Sequence, residues 1–206
     1  MQSEKKLYEL IHPLEPSDNN DDEEDGDFVD TLKFSHDGKL LASESKSNNV
    51  RLWDMELGEK VETFPSDNVT GIIEFSPCER YLSCIGKENL LIWDIRSRKT
   101  CKDDENLYGM KRFLLEKMLS LPEECEHVDS PVFSSCGHYI VNEASWNNKT
   151  KNFPFCLWEV ANGKHLATFR GHTTDIHALA FSPDNKLLAS ASYDGTILLW
   201  DLTPYL

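Results

Sequence analysis

Short runs of apolar and β-branched residues, separated by turns rich in Gly, Asp, Asn and Ser, repeat along this chain. The last run shows the pattern most clearly, with apolar or small-residue segments at 176–181, 187–192 and 196–200. Segments of five or six such residues between turn residues predict β-strands. The segment 164–169 has the composition of a fourth strand, so each unit is expected to form one four-stranded antiparallel sheet.

Two dipeptides mark the repeat, whose period is close to 40 residues. Phe-Ser occurs at Phe34-Ser35, Phe75-Ser76, Phe133-Ser134 and Phe181-Ser182. Trp followed by an acidic residue occurs at Trp53-Asp54, Trp93-Asp94, Trp158-Glu159 and Trp200-Asp201. Successive Trp residues are 40, 65 and 42 residues apart, so the second interval carries an insertion. A period in this range is typical of propeller blades.

The last unit resembles a WD repeat. Gly171-His172, Phe181-Ser182-Pro183-Asp184, Asp194-Gly195 and Leu199-Trp200-Asp201 follow one another in the order of that family's motif. The likeness extends over residues 27–102 and 127–206, and it implies an all-β fold, a β-propeller of four-stranded antiparallel blades. In such repeats a His, a Ser or Thr, an Asp and a Trp commonly form a buried chain of hydrogen bonds. The matching residues here are His172, Ser190, Asp194 and Trp200.

The other three units depart from this motif. At the position of Ser190 they carry Ser43, Cys84 and Asn142, and none has a Gly-His pair at the expected place. We therefore expect these blades to depend more on apolar packing.

The whole chain, 1–206, is predicted to form a single propeller domain. The expected blades are residues 27–64, 65–121, 127–169 and 170–206, and the segment 6–12 is expected to supply the fourth strand of the last blade. About four blades is the low end for a propeller. Three arrangements follow: a four-bladed ring, a homodimer that completes an eight-bladed ring, or a piece of a longer protein.

Two insertions interrupt the repeat. The stretch 15–27 holds eight acidic residues and no basic one, which favours a solvated loop, with a tether for a basic partner as the alternative. In the stretch 103–120, apolar residues recur at helical spacing and Pro122 follows, which predicts a short helix packed on the flank or presented to a partner. Alternatively, 117–121 forms the fourth strand of the second blade.

Charge narrows the classes of partner. The formal net charge is −15, which argues against nucleic acid and against anionic membrane surfaces and suits a protein with a basic patch. The N-terminal region has no apolar run long enough for a signal peptide or membrane span, and six cysteines suggest no disulfide framework. A cytoplasmic location is the expectation.

No motif for catalysis or cofactor binding stands out. The chain lacks a phosphate-binding Gly-rich loop, a Gly-x-Ser-x-Gly elbow and a His-Glu-x-x-His motif. One pattern could ligate zinc, with the residues Cys125, His127, Cys136 and His138. However, Cys136 takes the same hairpin-turn position as Asp37 and Cys78, so turn variation explains it and no metal site is predicted.

The resemblance implies a protein–protein interaction scaffold without catalytic activity. Partner binding is then expected at loops on the rim, near 67–68 and 173–175. The alternative is a sensory or regulatory segment of a larger protein, whether or not that protein is an enzyme.

Overall fold

Antiparallel meanders, each with its strands in chain order, make up the fold. The computed structural model describes residues 9–10, 29–45, 49–65, 72–86, 89–96, 115–120, 127–145 and 153–206. Four sheets occur in this part of the chain, and apart from one 3-10 turn at Thr203–Tyr205 their strands are the only regular elements in it. The predicted all-β class, with antiparallel blades of the propeller type, is confirmed.

The first sheet contains β1 (Val29–Phe34), β2 (Leu40–Ser45), β3 (Asn49–Asp54) and β4 (Glu59–Pro65). The second contains β5 (Ile73–Phe75), β6 (Tyr81–Ile85), β7 (Asn89–Asp94) and β8 (Leu115–Ser120). The third contains β9 (His127–Phe133), β10 (Tyr139–Ser145), β11 (Phe155–Glu159) and β12 (Lys164–Phe169). The last contains β13 (Ile176–Phe181), β14 (Leu187–Ser192) and β15 (Ile197–Asp201). We refer to these sheets as blades one to four.

The predicted helix over 103–120 is wrong for its last six residues. These residues form β8, which pairs with β7 along its whole length. Helical spacing of apolar residues is a local signal, whereas β7 offers a row of unpaired backbone groups that a neighbouring strand satisfies. The alternative, a fourth strand in this region, agrees with the structure. Residues 103–114 lie outside the described residues.

The acidic stretch 15–27 also lies outside the described part of the chain. The same holds for the segment 6–12, except for Glu9 and Leu10, which belong to no strand. Blade four accordingly has three strands among the described residues, with β15 at its outer edge.

The recurring serine of the Phe-Ser dipeptide closes the turn between the first two strands of every blade. Its Oγ accepts the N–H of the residue five positions later, at 2.9–3.0 Å in all four blades. The recurring acidic residue after Trp stabilises the turn that follows the third strand. There Asp54, Asp94 and Asp201 each accept the backbone N–H of the residue two positions later. Glu159, one methylene longer, accepts a side-chain N–H from Asn162 instead. Both dipeptides are therefore turn devices.

The core lies between successive blades. Val50, Leu52 and Phe64 of blade one pack with Ile73 and Phe75 of blade two. The junction between blades two and three buries Leu90, Ile92, Phe133, Ile140 and Trp158. The junction between blades three and four buries Phe155, Leu157, Ile176, Leu179 and Leu188.

Polar contacts supplement two of these junctions. The Lys33 ammonium lies 2.7 Å from a Glu74 carboxylate oxygen across the first junction. At the third junction, Ser135 donates its backbone N–H and its hydroxyl to the Asn185 side-chain oxygen, at 2.9 and 2.8 Å. At the second junction, Gly137 packs directly against Cys78. A Cβ added to Gly137 would stand only 2.8 Å from Cys78 Sγ. The first junction thus adds an ion pair to its apolar centre, and the second and third add closely fitted turns.

Truncating Phe64 tests the junction between blades one and two. Its ring is 1% exposed and lies 4.9 Å from that of Trp93, centroid to centroid. We expect Phe64→Ala to lower the free energy of unfolding by about 3–5 kcal/mol, measured by urea denaturation, because a large cavity remains. Leu57→Ala is the control, since Leu57 is 66% exposed, and its change should stay within about 0.5 kcal/mol. Equal effects of the two substitutions would contradict this account of the core.

Candidate functional site

A continuous chain of hydrogen bonds crosses blade four. Trp200 Nε1–H donates to Ser190 Oγ at 2.8 Å, and Ser190 Oγ lies 2.7 Å from His172 Nε2. His172 Nδ1 lies 2.9 Å from Asp194 Oδ2. With the ring proton on Nδ1, every donor in this series meets an acceptor. The structure therefore brings together all four residues singled out in the sequence.

Gly171, which precedes His172, has a steric reason to be glycine. A Cβ at this position would stand 2.8 Å from the Trp200 ring and 2.9 Å from Leu198 Cδ1. Both distances are too short for a side chain, so only glycine lets the loop approach β15 this closely. The Gly-His pair thus brings the imidazole to Ser190.

Asp194 joins two loops. Its carboxylate accepts the Thr173 N–H at 2.9 Å, the Thr196 N–H at 2.9 Å and the Thr196 hydroxyl at 2.6 Å. These bonds, first that of the Thr196 hydroxyl and then that of the Thr173 N–H, hold the pKa of Asp194 far below its ordinary value. The carboxylate therefore remains ionised and fixes the loop before β13 to the β14–β15 turn.

Serine, histidine and aspartate in this order resemble a nucleophile with its base, but the surroundings do not suit that chemistry. Ser190 is 0% exposed, His172 is 4% exposed, and the Ser190 oxygen already accepts the Trp200 N–H. A nucleophile has to reach its substrate and be free to attack. The arrangement instead satisfies buried polar groups and ties the strands to the incoming loop.

An exposed aromatic pair lies on this frame. Tyr193, which precedes Asp194, is 70% exposed, and its ring centroid lies 5.0 Å from that of the exposed His177. Its hydroxyl is 3.3 Å from His177 Nδ1, and its N–H donates to the Asp175 carbonyl at 3.1 Å. The pair thus adjoins the predicted rim loop 173–175. The other predicted rim loop, near 67–68, lies outside the described residues.

Sequence reasoning missed the Tyr193–His177 pair. The two residues are 16 positions apart, and only the antiparallel pairing of β13 with β14 brings them together. Nothing in the one-dimensional pattern distinguishes Tyr193 from any other turn residue.

Two other blades keep part of the hydrogen-bond chain despite lacking Gly-His. Trp53 Nε1–H donates to Ser43 Oγ at 2.7 Å, and Trp158 Nε1–H donates to Asn142 Oδ1 at 2.7 Å. In blade two this position is Cys84, whose thiol pKa burial raises well above its ordinary value, with a further increase from Glu44. The first and third blades therefore keep the Trp bond of the chain alongside the apolar packing expected of them.

Cys136, one of the four residues considered as zinc ligands, lies in a turn, as does Cys78 at the same position in blade two. The Sγ atoms of Cys78 and Cys136 lie 3.3 and 3.4 Å from the preceding turn serines, Ser76 and Ser134. The described segments hold no cluster of three or more His, Cys, Asp or Glu side chains that could bind a metal ion. Cys125 lies outside those segments.

Comparison with known families agrees with the motifs. The pattern described as "WD domain, G-beta repeat" matches residues 163–201, which include the complete hydrogen-bond chain of blade four. The "Anaphase-promoting complex subunit 4 WD40 domain" pattern matches residues 2–89. The chain is built of WD repeats. The resemblance seen in the sequence is thereby confirmed.

Curated relatives of this WD-repeat chain are also WD-repeat proteins. It is 25% identical to "WD repeat-containing protein AAC3" of Dictyostelium discoideum over 79% of the chain and 30% of that protein. It is 28% identical to "Cross-pathway control WD-repeat protein 2" of Flammulina velutipes over 85% of the chain and 50% of the relative. It is 29% identical to "Nuclear distribution protein nudF" of Emericella nidulans, over 85% and 40% respectively. The chain thus spans half or less of the length of these relatives.

No helix within the described ranges is both long and apolar enough to cross a membrane.

Acid should weaken the WD-repeat frame through Asp194. Because the folded pKa of this carboxyl is depressed, its stabilising effect is present above the unfolded pKa, near 3.8, and is lost as pH falls below it. In urea denaturation, the difference in unfolding free energy between the wild type and Asp194→Asn should therefore shrink from about pH 6 to about pH 3.

Asp184→Asn is the matched control for this measurement. Asp184 accepts bonds from Ser182 and Lys186 in an exposed turn, and its pKa is lowered less than that of Asp194. Its substitution should produce a smaller dependence on pH. A pH-independent difference for Asp194→Asn would contradict the assignment of this carboxylate as the ionised link between the loops.

Proposed function

We propose that this WD-repeat chain is a protein–protein interaction scaffold without catalytic activity of its own. WD-repeat domains generally bind other proteins, and the relatives are named for repeats, a pathway or a process rather than for a reaction. The observation that carries the proposal is the exposed Tyr193–His177 pair on a loop frame held by Asp194.

Rigid exposed aromatic residues are suited to partner binding. Tyrosine is enriched among the residues that dominate binding energy, since it offers a large contact area and loses little conformational entropy. Asp194 and the backbone bond from Tyr193 to Asp175 support the loop, so little ordering is needed on binding. The hydrogen-bond chain of His172, Ser190, Asp194 and Trp200 is accordingly proposed as structural support for this surface.

Charge supports a partner with a basic surface. The formal net charge is −15, and the carboxylate of Asp175 is exposed in the loop next to Tyr193. An acidic surface increases the rate of encounter with a positively charged protein and repels nucleic acid and anionic lipid. We place the protein in the cytoplasm, where the thiols of Cys78, Cys84, Cys136 and Cys156 would stay reduced.

A second candidate is a sensory or regulatory segment of a larger protein, with or without enzymatic activity elsewhere in that protein. The relatives extend well beyond the matched region, with 30–50% of their length covered. In that case the same surface would bind a neighbouring domain.

Affinity capture with a matched pair of variants tests the scaffold proposal. Wild type, Tyr193→Ala and Leu57→Ala would each be immobilised, and bound proteins from a lysate of the source cells quantified by mass spectrometry. Leu57 is the control because it is 66% exposed and lies in the β3–β4 turn, away from Tyr193. We expect Tyr193→Ala to weaken capture of a defined set of proteins about tenfold or more, and Leu57→Ala to leave it unchanged.

Salt dependence is the second readout. Binding of that set should decrease as ionic strength rises above about 0.15 M, because screening weakens the attraction to a basic surface. Equal capture by all three proteins would refute the assigned surface. An unchanged midpoint of urea denaturation would verify that the Tyr193→Ala variant is folded.

A further inference from the structure

An exposed carboxylate adjoins the Tyr193–His177 pair. Asp175 lies two residues before His177 in the chain, and its side chain is exposed. Its backbone carbonyl accepts the Tyr193 N–H at 3.1 Å and the Ser192 hydroxyl at 2.9 Å. Within the segments that the structure describes, no group donates a hydrogen bond to the Asp175 carboxylate. The backbone of Asp175 is therefore held next to Tyr193, while its negative charge faces the solvent.

The Tyr193 ring is a second feature that attracts positive charge. Tyr193 is 70% exposed, and its ring lies 5.0 Å from that of His177, centroid to centroid, at an interplanar angle of 41°. Its hydroxyl lies 3.3 Å from His177 Nδ1, so the polar end of the side chain already has a partner. The exposed ring face carries negative partial charge, and such faces bind cations.

We infer that this surface takes an arginine side chain of the partner protein, an inference that rests on the proposed function. A guanidinium is planar, so it can stack on the Tyr193 ring while its N–H groups donate two parallel hydrogen bonds to the Asp175 carboxylate. The bonds from Tyr193 and Ser192 to the Asp175 carbonyl hold the two recognition elements together before binding. Little ordering is then needed when the arginine docks.

Other side chains suit this surface less well. A carboxylate or phosphate would be repelled by Asp175 and by the formal net charge of −15. An apolar side chain would cover Asp175 without offering its carboxylate a hydrogen bond, which is unfavourable. A lysine ammonium can pair with the carboxylate, but it is more strongly hydrated and lacks the flat shape that stacks on a ring. Arginine is therefore the favoured occupant, and lysine is the competitor that an experiment has to exclude.

Binding of a single arginine side chain can be measured on the full 206-residue chain. The probe is N-acetyl-arginine amide, titrated while the backbone amide resonances of His177, Tyr193 and Asp194 are followed by NMR. We expect saturable shifts with a dissociation constant on the order of 1–10 mM, since one stacked and paired side chain makes few contacts.

Two further probes test the selectivity for a guanidinium. N-acetyl-citrulline amide has nearly the same shape without the charge, and N-acetyl-lysine amide has the charge without the shape. Each should bind at least about tenfold more weakly than the arginine probe. Equal shifts from the arginine and lysine probes at these amides, or no shift from either, would overturn the inference.

Matched substitutions separate the roles of the charge and the ring. Asp175→Asn keeps the size of the side chain and the backbone carbonyl, and it should weaken binding of the arginine probe about tenfold. Tyr193→Leu removes the ring face and should weaken binding about threefold, whereas Tyr193→Phe, which keeps that face, should lose less. Glu59→Gln is the control, since Glu59 is an exposed acidic residue of blade one, and it should bind the probe like the wild type.

The control decides between a site and a general effect of charge. If Asp175→Asn weakened binding no more than Glu59→Gln does, arginine would be attracted only by the overall negative charge, and the assigned site would be wrong. The amide resonances of the other blades verify that each variant is folded. Asp175→Ser replaces Asp175→Asn if they change.

Capture of partners provides an independent readout. Immobilised Asp175→Asn should capture the Tyr193-dependent set of proteins about tenfold less than the wild type, and Glu59→Gln should capture it equally. Capture that is lost in Tyr193→Ala but unchanged in Asp175→Asn would refute the arginine site and leave the scaffold proposal standing. The expected shifts with the arginine probe, without capture of any defined set of proteins, would refute the scaffold proposal and support the arginine site.

Discussion

Burial of apolar strand faces between successive blades is the interaction on which the structure depends. A single antiparallel blade of four short strands has two large faces and cannot bury either by itself. At each junction the residues one and three positions before Trp supply one surface, and the residues around Phe-Ser supply the other. Because side chains alternate between faces along a strand, a shift of one residue would turn these apolar residues away from the junction. The turn serines therefore matter chiefly because they fix the register in which the faces form.

The buried polar groups of blade four follow from the same packing. Bringing a loop close enough to β15 to cover Trp200 also buries the imidazole of His172, which then needs partners. Ser190 and Asp194 provide them at 2.7 and 2.9 Å. Asp194 further receives two backbone N–H groups, so the loop before β13 and the β14–β15 turn become one rigid unit. Tyr193, next to Asp194, is held on that unit by its own backbone bond to Asp175.

The sequence predicts the elements of this fold well because their signals are local. Turn residues, β-rich segments and the two dipeptides identify the strands, and the hydrogen-bond chain in blade four follows from the family motif. The strand at 115–120 was predicted only as the alternative to a helix, at 117–121, because its conformation depends on pairing with β7 rather than on its own spacing of apolar residues. The bonds from Trp53 to Ser43 and from Trp158 to Asn142 were not predicted, because the family motif identifies the network by its Gly-His pair, which these blades lack. The Tyr193–His177 pair depends on strand register across a hairpin, which composition does not reveal.

The exposed Ile197 and the proposed partner-binding residue Tyr193 lie on the same hairpin. Tyr193 and Ile197 are four residues apart, at the start and end of the turn that joins β14 to β15, and Asp194 and Thr196 lie between them. Thr196 bonds Asp194 through both its backbone N–H and its hydroxyl, so the two ends of the turn cannot move independently. A protein that contacted Ile197 would therefore also restrain the turn that holds Tyr193, because ordering one end of a hairpin lowers the entropy lost when the other end binds. The two exposed side chains thus share one hydrogen-bonded frame.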